Sequence, residues 1–264
     1  MLIPPPRVIV TRPLADAQRW VAQLRQAGLQ AQALPLIEIT APQDPKALYQ
    51  AWCQIDQYAA LMFVSRQAVA HFFAAKPAGA QAASGLRYLV PGQGTRAALL
   101  NLGVPAPSID APALDAPQFD SQALWQVVSQ RVWDKQRVLL VHGESLEEPT
   151  QRNWLMEQLQ AAGAQVEGVA AYQRHVPSLS AAQWQLAQEA VHDGSVWLFS
   201  SSQALANLAT LNQRNVPPLD WLQARALATH PRITQALQRV GWGVVALSRS
   251  TVPDIVASIE SLAL

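Results

Sequence analysis

The chain has 264 residues, half of them hydrophobic, enough to bury the cores of two ordinary domains rather than a fragment of one. Only 14% of the residues are charged and the net charge is +1, which argues against the broad basic face that nucleic-acid binders carry. A single cysteine excludes an intramolecular disulfide and fits a reducing compartment.

The opening Met1-Leu-Ile-Pro-Pro-Pro6 is too short and too proline-rich for a signal peptide, and no apolar run reaches bilayer-spanning length. A cytoplasmic protein without membrane contact is therefore expected. Val8-Ile-Val10 reads as a buried strand ending at Thr11-Arg12. A helix follows over Leu14 to Ala27, burying Trp20, Val21 and Leu24 at helical spacing and stopping at Gly28. Leu36-Ile-Glu-Ile-Thr40 is a β-prone run between Pro35 and Pro42, and Cys53, on the helical stretch 47–55, is expected to be a small core residue. Ala60-Leu-Met-Phe-Val64 is the next strand, ending at Ser65-Arg66 before a helix that carries His71, read as a surface or packing residue.

Gly92-Gln93-Gly94-Thr95-Arg-Ala97 formally matches the G-x-G-x-x-A dinucleotide fingerprint after a strand. The acidic residue near the required spacing, Asp110, lies among Pro105, Pro107 and Pro112 in what reads as loop, so no nicotinamide or flavin site is expected. Val138-Leu-Leu-Val141 is a further strand, ending at His142-Gly143-Glu144. Glu144, Glu147 and Glu148 read as a solvated, acidic helix start. A second β-prone run, Val169 to Gln173, carries Tyr172 and precedes Pro177. Val196-Trp-Leu-Phe199 then ends at Ser200, Ser201 and Ser202, and a last turn reads Thr229-His230-Pro-Arg232. Gly103, Gly163 and Gly241 repeat the glycine stop.

These elements contain an internal duplication. Phe63-Val-Ser-Arg-Gln-Ala-Val-Ala-His-Phe72 returns as Phe199-Ser-Ser-Ser-Gln-Ala-Leu-Ala-Asn-Leu208, and Leu89–Leu99 returns as Leu227–Leu237. Arg7-Val-Ile-Val-Thr11 leading to Gly28 likewise resembles Arg137-Val-Leu-Leu-Val141 leading to Gly163. Three unit types thus appear in the order first, second, third, first, second, third. The two β-prone runs near 35–42 and 168–177 each follow a first-type unit, as connectors would in a chain that crosses over and returns. That favours a discontinuous domain of 1–37 with 176–264 and an inserted domain of 43–167, with two tandem domains cut near 130 as the alternative. Continuous apolar strands alternating with helices give the fold class: α/β, two similar doubly wound parallel-sheet domains.

In open α/β sheets, ligands sit beyond the carboxyl ends of the strands, where helix N-termini also point. Those positions hold Thr11, Arg12, Ser65, Arg66, Gln93, Gly94, Thr95, His142, Ser200, Ser201, Ser202, Thr229 and His230. Backbone N–H groups with hydroxyl and Arg donors suit carboxylate or phosphate, although Ser and Thr there are also ordinary helix caps. No G-x-S-x-G nucleophile elbow is present, and the five histidines show no metal-ligand spacing. Tyr172 sits in the second connector, where its phenol either packs in a core or donates a proton.

With these motifs in order, the chain resembles the uroporphyrinogen-III synthases over nearly its whole length. The similarity is carried by Val8-Ile-Val-Thr-Arg-Pro13, Leu34-Pro-Leu-Ile-Glu38, Phe63-Val-Ser65, Phe199-Ser-Ser201, Gly92–Thr95 and Val166–Arg174. The resemblance implies two flavodoxin-like domains joined by a two-stranded connector, with the active site in the cleft between them. It also implies a cofactor-free and metal-free lyase that cyclises the linear tetrapyrrole hydroxymethylbilane with inversion of the D ring. Loss of the terminal hydroxyl gives an azafulvene cation, which ring D attacks to form a spiro intermediate that fragments and recloses. Tyr172 is then the best candidate for the acid and Thr95 a cleft residue. The expected partners are the tetrapyrrole and the upstream hydroxymethylbilane synthase, and the expected state is a monomer. One departure stands out: His230-Pro-Arg-Ile233 replaces the family's G-P-T-T turn, so a hydroxyl is missing at Ile233, and either Thr229, His230 or Thr234 substitutes for it or positioning and electrostatics supply most of the effect. Two other readings stay open, a non-catalytic two-domain anion binder and a nucleotide or sugar-phosphate enzyme using the Gly92–Thr95 turn.

Overall fold

The computed structural model of the chain describes residues 6–82, 84–145, 154–214 and 217–262. In chain order the described strands are β1 (Val8–Val10), β2 (Ala31–Ala33), β3 (Glu38–Thr40), β4 (Ala60–Phe63), β5 (Arg87–Leu89), β6 (Ile109–Asp110), β7 (Arg137–Ser145), β8 (Gln165–His175), β9 (Val196–Phe199), β10 (Arg225–Ala228) and β11 (Val244–Leu247). They form a five-stranded sheet, β11-β10-β9-β1-β2, and a six-stranded one, β3-β8-β7-β4-β5-β6. The chain divides into two compact units, Met1–Glu38 with His175–Leu264, and Ile39–Arg174.

The strand order shows where the duplicated segments go. First-, second- and third-type strands stand side by side as β1-β9-β10 in one sheet and as β7-β4-β5 in the other, all in parallel. Each sheet therefore draws its first-type strand from one half of the chain and the other two from the other half. The five-stranded sheet has the doubly wound order 2-1-3-4-5, and β8-β7-β4-β5-β6 is the same order entered at its third strand.

Continuous apolar runs form these strands because both faces are covered. In β4, Leu61 and Phe63 join Val69, Phe72 and Leu99 on one face, while Ala60 and Met62 join Leu124, Val128 and Leu155 on the other. In β9, Val196 and Leu198 pack with Trp20, Val21 and Leu24 of helix Leu14–Gln26. Trp197 and Phe199 point the opposite way, stacked at 6.3 Å and joined by Trp242. The glycine stops at 28, 103, 163 and 241 adopt φ of 88°, 81°, 92° and 91°, which a side chain would resist.

Both chain passages between the units are tied to one buried amide. Asn207, on helix Ser202–Gln213, is 1% exposed and donates to the carbonyls of Leu36 at 2.7 Å and His175 at 3.4 Å. The Gln203 amide in turn donates to its oxygen at 3.0 Å. Asn207→Leu removes the donor to the buried Leu36 carbonyl and the acceptor of the buried Gln203 amide, so it is expected to destabilise by about 1–3 kcal/mol. A chemical-denaturation midpoint equal to that of the wild type would show that the amide holds nothing.

Candidate active site

In the unit Ile39–Arg174 the carboxyl ends of β4 and β7 flank the point where the strand order reverses. Beyond Val141, which pairs with Phe63, β7 continues with β8 alone. The register between them shifts at His142/Gly143, so that Gly143 comes opposite Tyr172. Such a bulge re-aims a side chain. Tyr172 is 4% exposed and belongs to the hydrophobic core, and its hydroxyl lies 3.0 Å from the Ser65 hydroxyl. Ser65 is the N-cap of helix Arg66–Ala74 and accepts the Ala68 N–H at 3.1 Å. The His71 ring stacks on Tyr172 with centroids 5.7 Å apart. The phenol thus packs in a core and also meets a polar group at its tip.

The other expected residues of this unit are placed as follows. Arg66 runs alongside Gly94, where an added Cβ would meet its Cδ at 3.5 Å. The Gln93 amide donates to the Pro112 carbonyl at 2.7 Å. Thr95, in the first turn of helix Gln93–Asn101, is 6% exposed, a packing position like that of its repeat counterpart Ile233 at 4%. His142 Nδ1 lies 3.2 Å from the Gly143 carbonyl, and its Nε2 occupies the space that a side chain at Gly168 would need.

The corresponding reversal in the other unit lies between β1 and β9. The Thr11 hydroxyl is fully buried and donates to the Leu198 carbonyl at 2.8 Å, so its proton is used inside the sheet. The Arg12 guanidinium lies 4.6 Å over the Trp20 ring, and its buried Nε has no hydrogen-bond partner among the described residues. Desolvation lowers its pKa to about 10, against the opposing pull of Asp16, so it remains a cation at neutral pH. Ser201 caps helix Ser202–Gln213 without a side-chain capping bond, between a half-buried Ser200 and an exposed Ser202. Thr229 is half-buried beside His230, whose Nδ1 caps helix Pro231–Val240 by accepting the Arg232 N–H at 3.1 Å.

The family described as uroporphyrinogen-III synthase HemD matches residues 18–257. The chain belongs to the uroporphyrinogen-III synthase family. Two solved structures agree in fold: a mutant uroporphyrinogen III synthase from Thermus thermophilus (15% identity, TM-score 0.52, 97% of this chain and 98% of that one), and uroporphyrinogen-III synthetase from Helicobacter pylori (12% identity, TM-score 0.53, 97% and 99%).

For a uroporphyrinogen-III synthase, several readings of the sequence need correction. Cys53 is exposed, because it ends its helix while Ala51 and Trp52 take the core positions. Glu144 is in β7 rather than at a helix start, and Glu147 and Glu148 lie outside the described residues. Asp110 is in β6, not in a loop, and its carboxylate holds Arg87 at 2.6 Å and Arg131 at 2.7 Å. Ile233 faces the core of helix Pro231–Val240, and the Thr234 hydroxyl beside it donates to the His230 carbonyl at 3.5 Å. Among the described residues no group of three or more His, Cys, Asp and Glu could hold a metal ion, and no helix is long and apolar enough to cross a membrane.

The sequence shows Gly143 only as part of a strand-end turn and His71 as a surface or packing residue, which its stack on Tyr172 fits, but not their place around the phenol. The repeat could have drawn attention to His71, because its counterpart is Asn207, which also touches the returning segment. Desolvation holds the His71 pKa below its ordinary 6.5. The unfolded chain then takes up a proton at higher pH than the folded one, so the stability present above 6.5 is lost as the pH falls toward the lower folded value. His71→Asn is expected to flatten the acid side of the stability–pH curve measured by denaturant titration. Identical curves would assign that loss to other groups.

Proposed function

We propose that this chain is the enzyme that cyclises hydroxymethylbilane to uroporphyrinogen III with D-ring inversion, releasing water, a lyase reaction in tetrapyrrole and haem biosynthesis. The family match over 18–257 carries the reading. Tyr172 donates its proton to the departing hydroxyl, the carbon–oxygen bond breaks, and the proton lost as the macrocycle closes returns to the phenolate. Arg12, desolvated against Trp20, offers a cation to a carboxylate of the substrate, and the helix N-termini after β4 and β9 offer N–H groups to others. Ser200, Ser201, Ser202, Thr229 and His142 complete the proposed set of binding residues. Positioning dominates the chemistry, because the free bilane closes readily to the type I isomer unaided. We extend the reading to a cytoplasmic monomer that receives its substrate from hydroxymethylbilane synthase. The nucleotide alternative is not favoured, since Asp110, the acid it requires, is held by two arginines.

The deciding experiment supplies freshly made hydroxymethylbilane and separates the products by isomer. Type III product is expected. Type I product alone, formed at the rate of the enzyme-free control, would overturn the assignment.

A further inference from the structure

We infer that Ser65 is a positioning residue for Tyr172: its hydroxyl, held by the first turn of helix Arg66–Ala74, orients the phenol and stabilises the phenolate left when the proton is given up. The inference deepens the proposed function and rests on Tyr172 being the proton donor.

Three contacts define the geometry. The Ser65 Oγ accepts the Ala68 N–H at 3.1 Å and lies 3.0 Å from the Tyr172 oxygen. With one lone pair engaged, Ser65 still has a lone pair to accept from the neutral phenol and a hydrogen to turn toward the phenolate. A hydroxyl that itself accepts a hydrogen bond is a better donor, and the positive end of the helix dipole favours negative charge at this spot. The ring cannot turn away. His71 covers one side at 5.7 Å, and on the strand opposite, a Cβ at Gly143 would lie 2.2 Å from the Tyr172 Cζ.

The duplication provides an internal control. Ser201, the counterpart of Ser65, makes no side-chain capping bond, and Asn207, the counterpart of His71, donates to the Leu36 and His175 carbonyls. The shared strand-turn-helix therefore builds both units, whereas the set Ser65–Tyr172–His71 is particular to one. A serine that served only to cap its helix would have no reason to meet a buried phenol.

The test follows the Tyr172 Cζ resonance in ring-labelled protein, identified among four tyrosines by its loss in Tyr172→Phe. The charged and titratable groups on the surrounding elements are Arg66 and His71 on the helix, Arg137, His142 and Glu144 on β7, and Glu167, Arg174 and His175 on β8. All are retained in the variants compared. Ser65→Ala is expected to raise the phenol titration midpoint by about one unit, and Ser65→Thr, which keeps hydroxyl and cap, to restore it. In turnover, Ser65→Ala is expected to lower kcat about tenfold with KM unchanged, and to add nothing in a Tyr172→Phe background. An unshifted midpoint in folded Ser65→Ala, or a raised KM with kcat intact, would overturn the inference. Full activity of Tyr172→Phe would instead remove the proton-donor reading, an outcome kept distinct because the titration requires no turnover.

Discussion

Gly143→Ala is expected to lower turnover by about a hundredfold or more and to destabilise the protein by about 1–3 kcal/mol, a combined loss far beyond that of an ordinary single-methyl change. The added Cβ would lie 2.2 Å from Cζ, 2.4 Å from Cε2 and 2.7 Å from the hydroxyl oxygen of Tyr172. Contacts that short require something to move. The ring is 4% exposed, stacked on His71 and hydrogen-bonded to Ser65, so it has no nearby space to enter. Either it leaves the core or β7 and β8 separate where they extend past the sheet. Truncating the ring distinguishes this clash from a backbone effect: Tyr172→Ala combined with Gly143→Ala is expected to be no less stable than Tyr172→Ala alone, with activity still lost. A Gly143→Ala protein with wild-type melting and wild-type kcat would mean that the register around the bulge differs from the one described.

This case also marks the boundary between what the sequence discloses and what it conceals. Strands β1, β4, β7 and β9 are legible because burial on both faces leaves uninterrupted apolar runs. Strand β2 is only Ala-Gln-Ala, and it forms because β1 offers a row of backbone partners from Val8↔Ala31 to Val10↔Ala33. No periodicity records that. Strand β11 is an edge whose Val244 and Leu247 are 42% and 49% exposed, so burial gives it no pattern either. Within the candidate site, Ser65 and Tyr172 are visible separately, one at a strand end and one in a connector. Their meeting depends on a bulge in a strand pair, on the parallel register of β4 with β7, and on the absence of a side chain at Gly143. Each is a non-local property that a single sequence does not spell out. Cys53 fails for the opposite reason: its residue type suggests core, but its place at the end of the helix turns it away from the buried face held by Ala51 and Trp52.

Tyr172→Phe is the substitution that separates chemistry from packing. It keeps the ring, hence the stack on His71 and the fit over Gly143, and deletes one oxygen. The structural cost is the hydrogen bond to Ser65, about 1 kcal/mol, because the Ser65 hydroxyl still has the Ala68 N–H to accept. The catalytic cost is expected to be larger, about 10²–10⁴ in kcat, the range for losing a positioned general acid. On the proposed role, in which the phenol acts on the departing hydroxyl rather than gripping carboxylates, KM should change little. The isomer ratio adds a third, independent readout. If Tyr172 supplies only the proton, the residual enzymatic product remains type III, because the chain still folds the bilane so that the substituted carbon of ring D attacks the azafulvene cation. If the fraction of type I rises in step with the fall in kcat, the phenol also holds the substrate's geometry. Unchanged kcat would remove Tyr172 from the mechanism and leave the half-buried hydroxyls of Ser200, Ser201 and Thr229 as the donors to examine next.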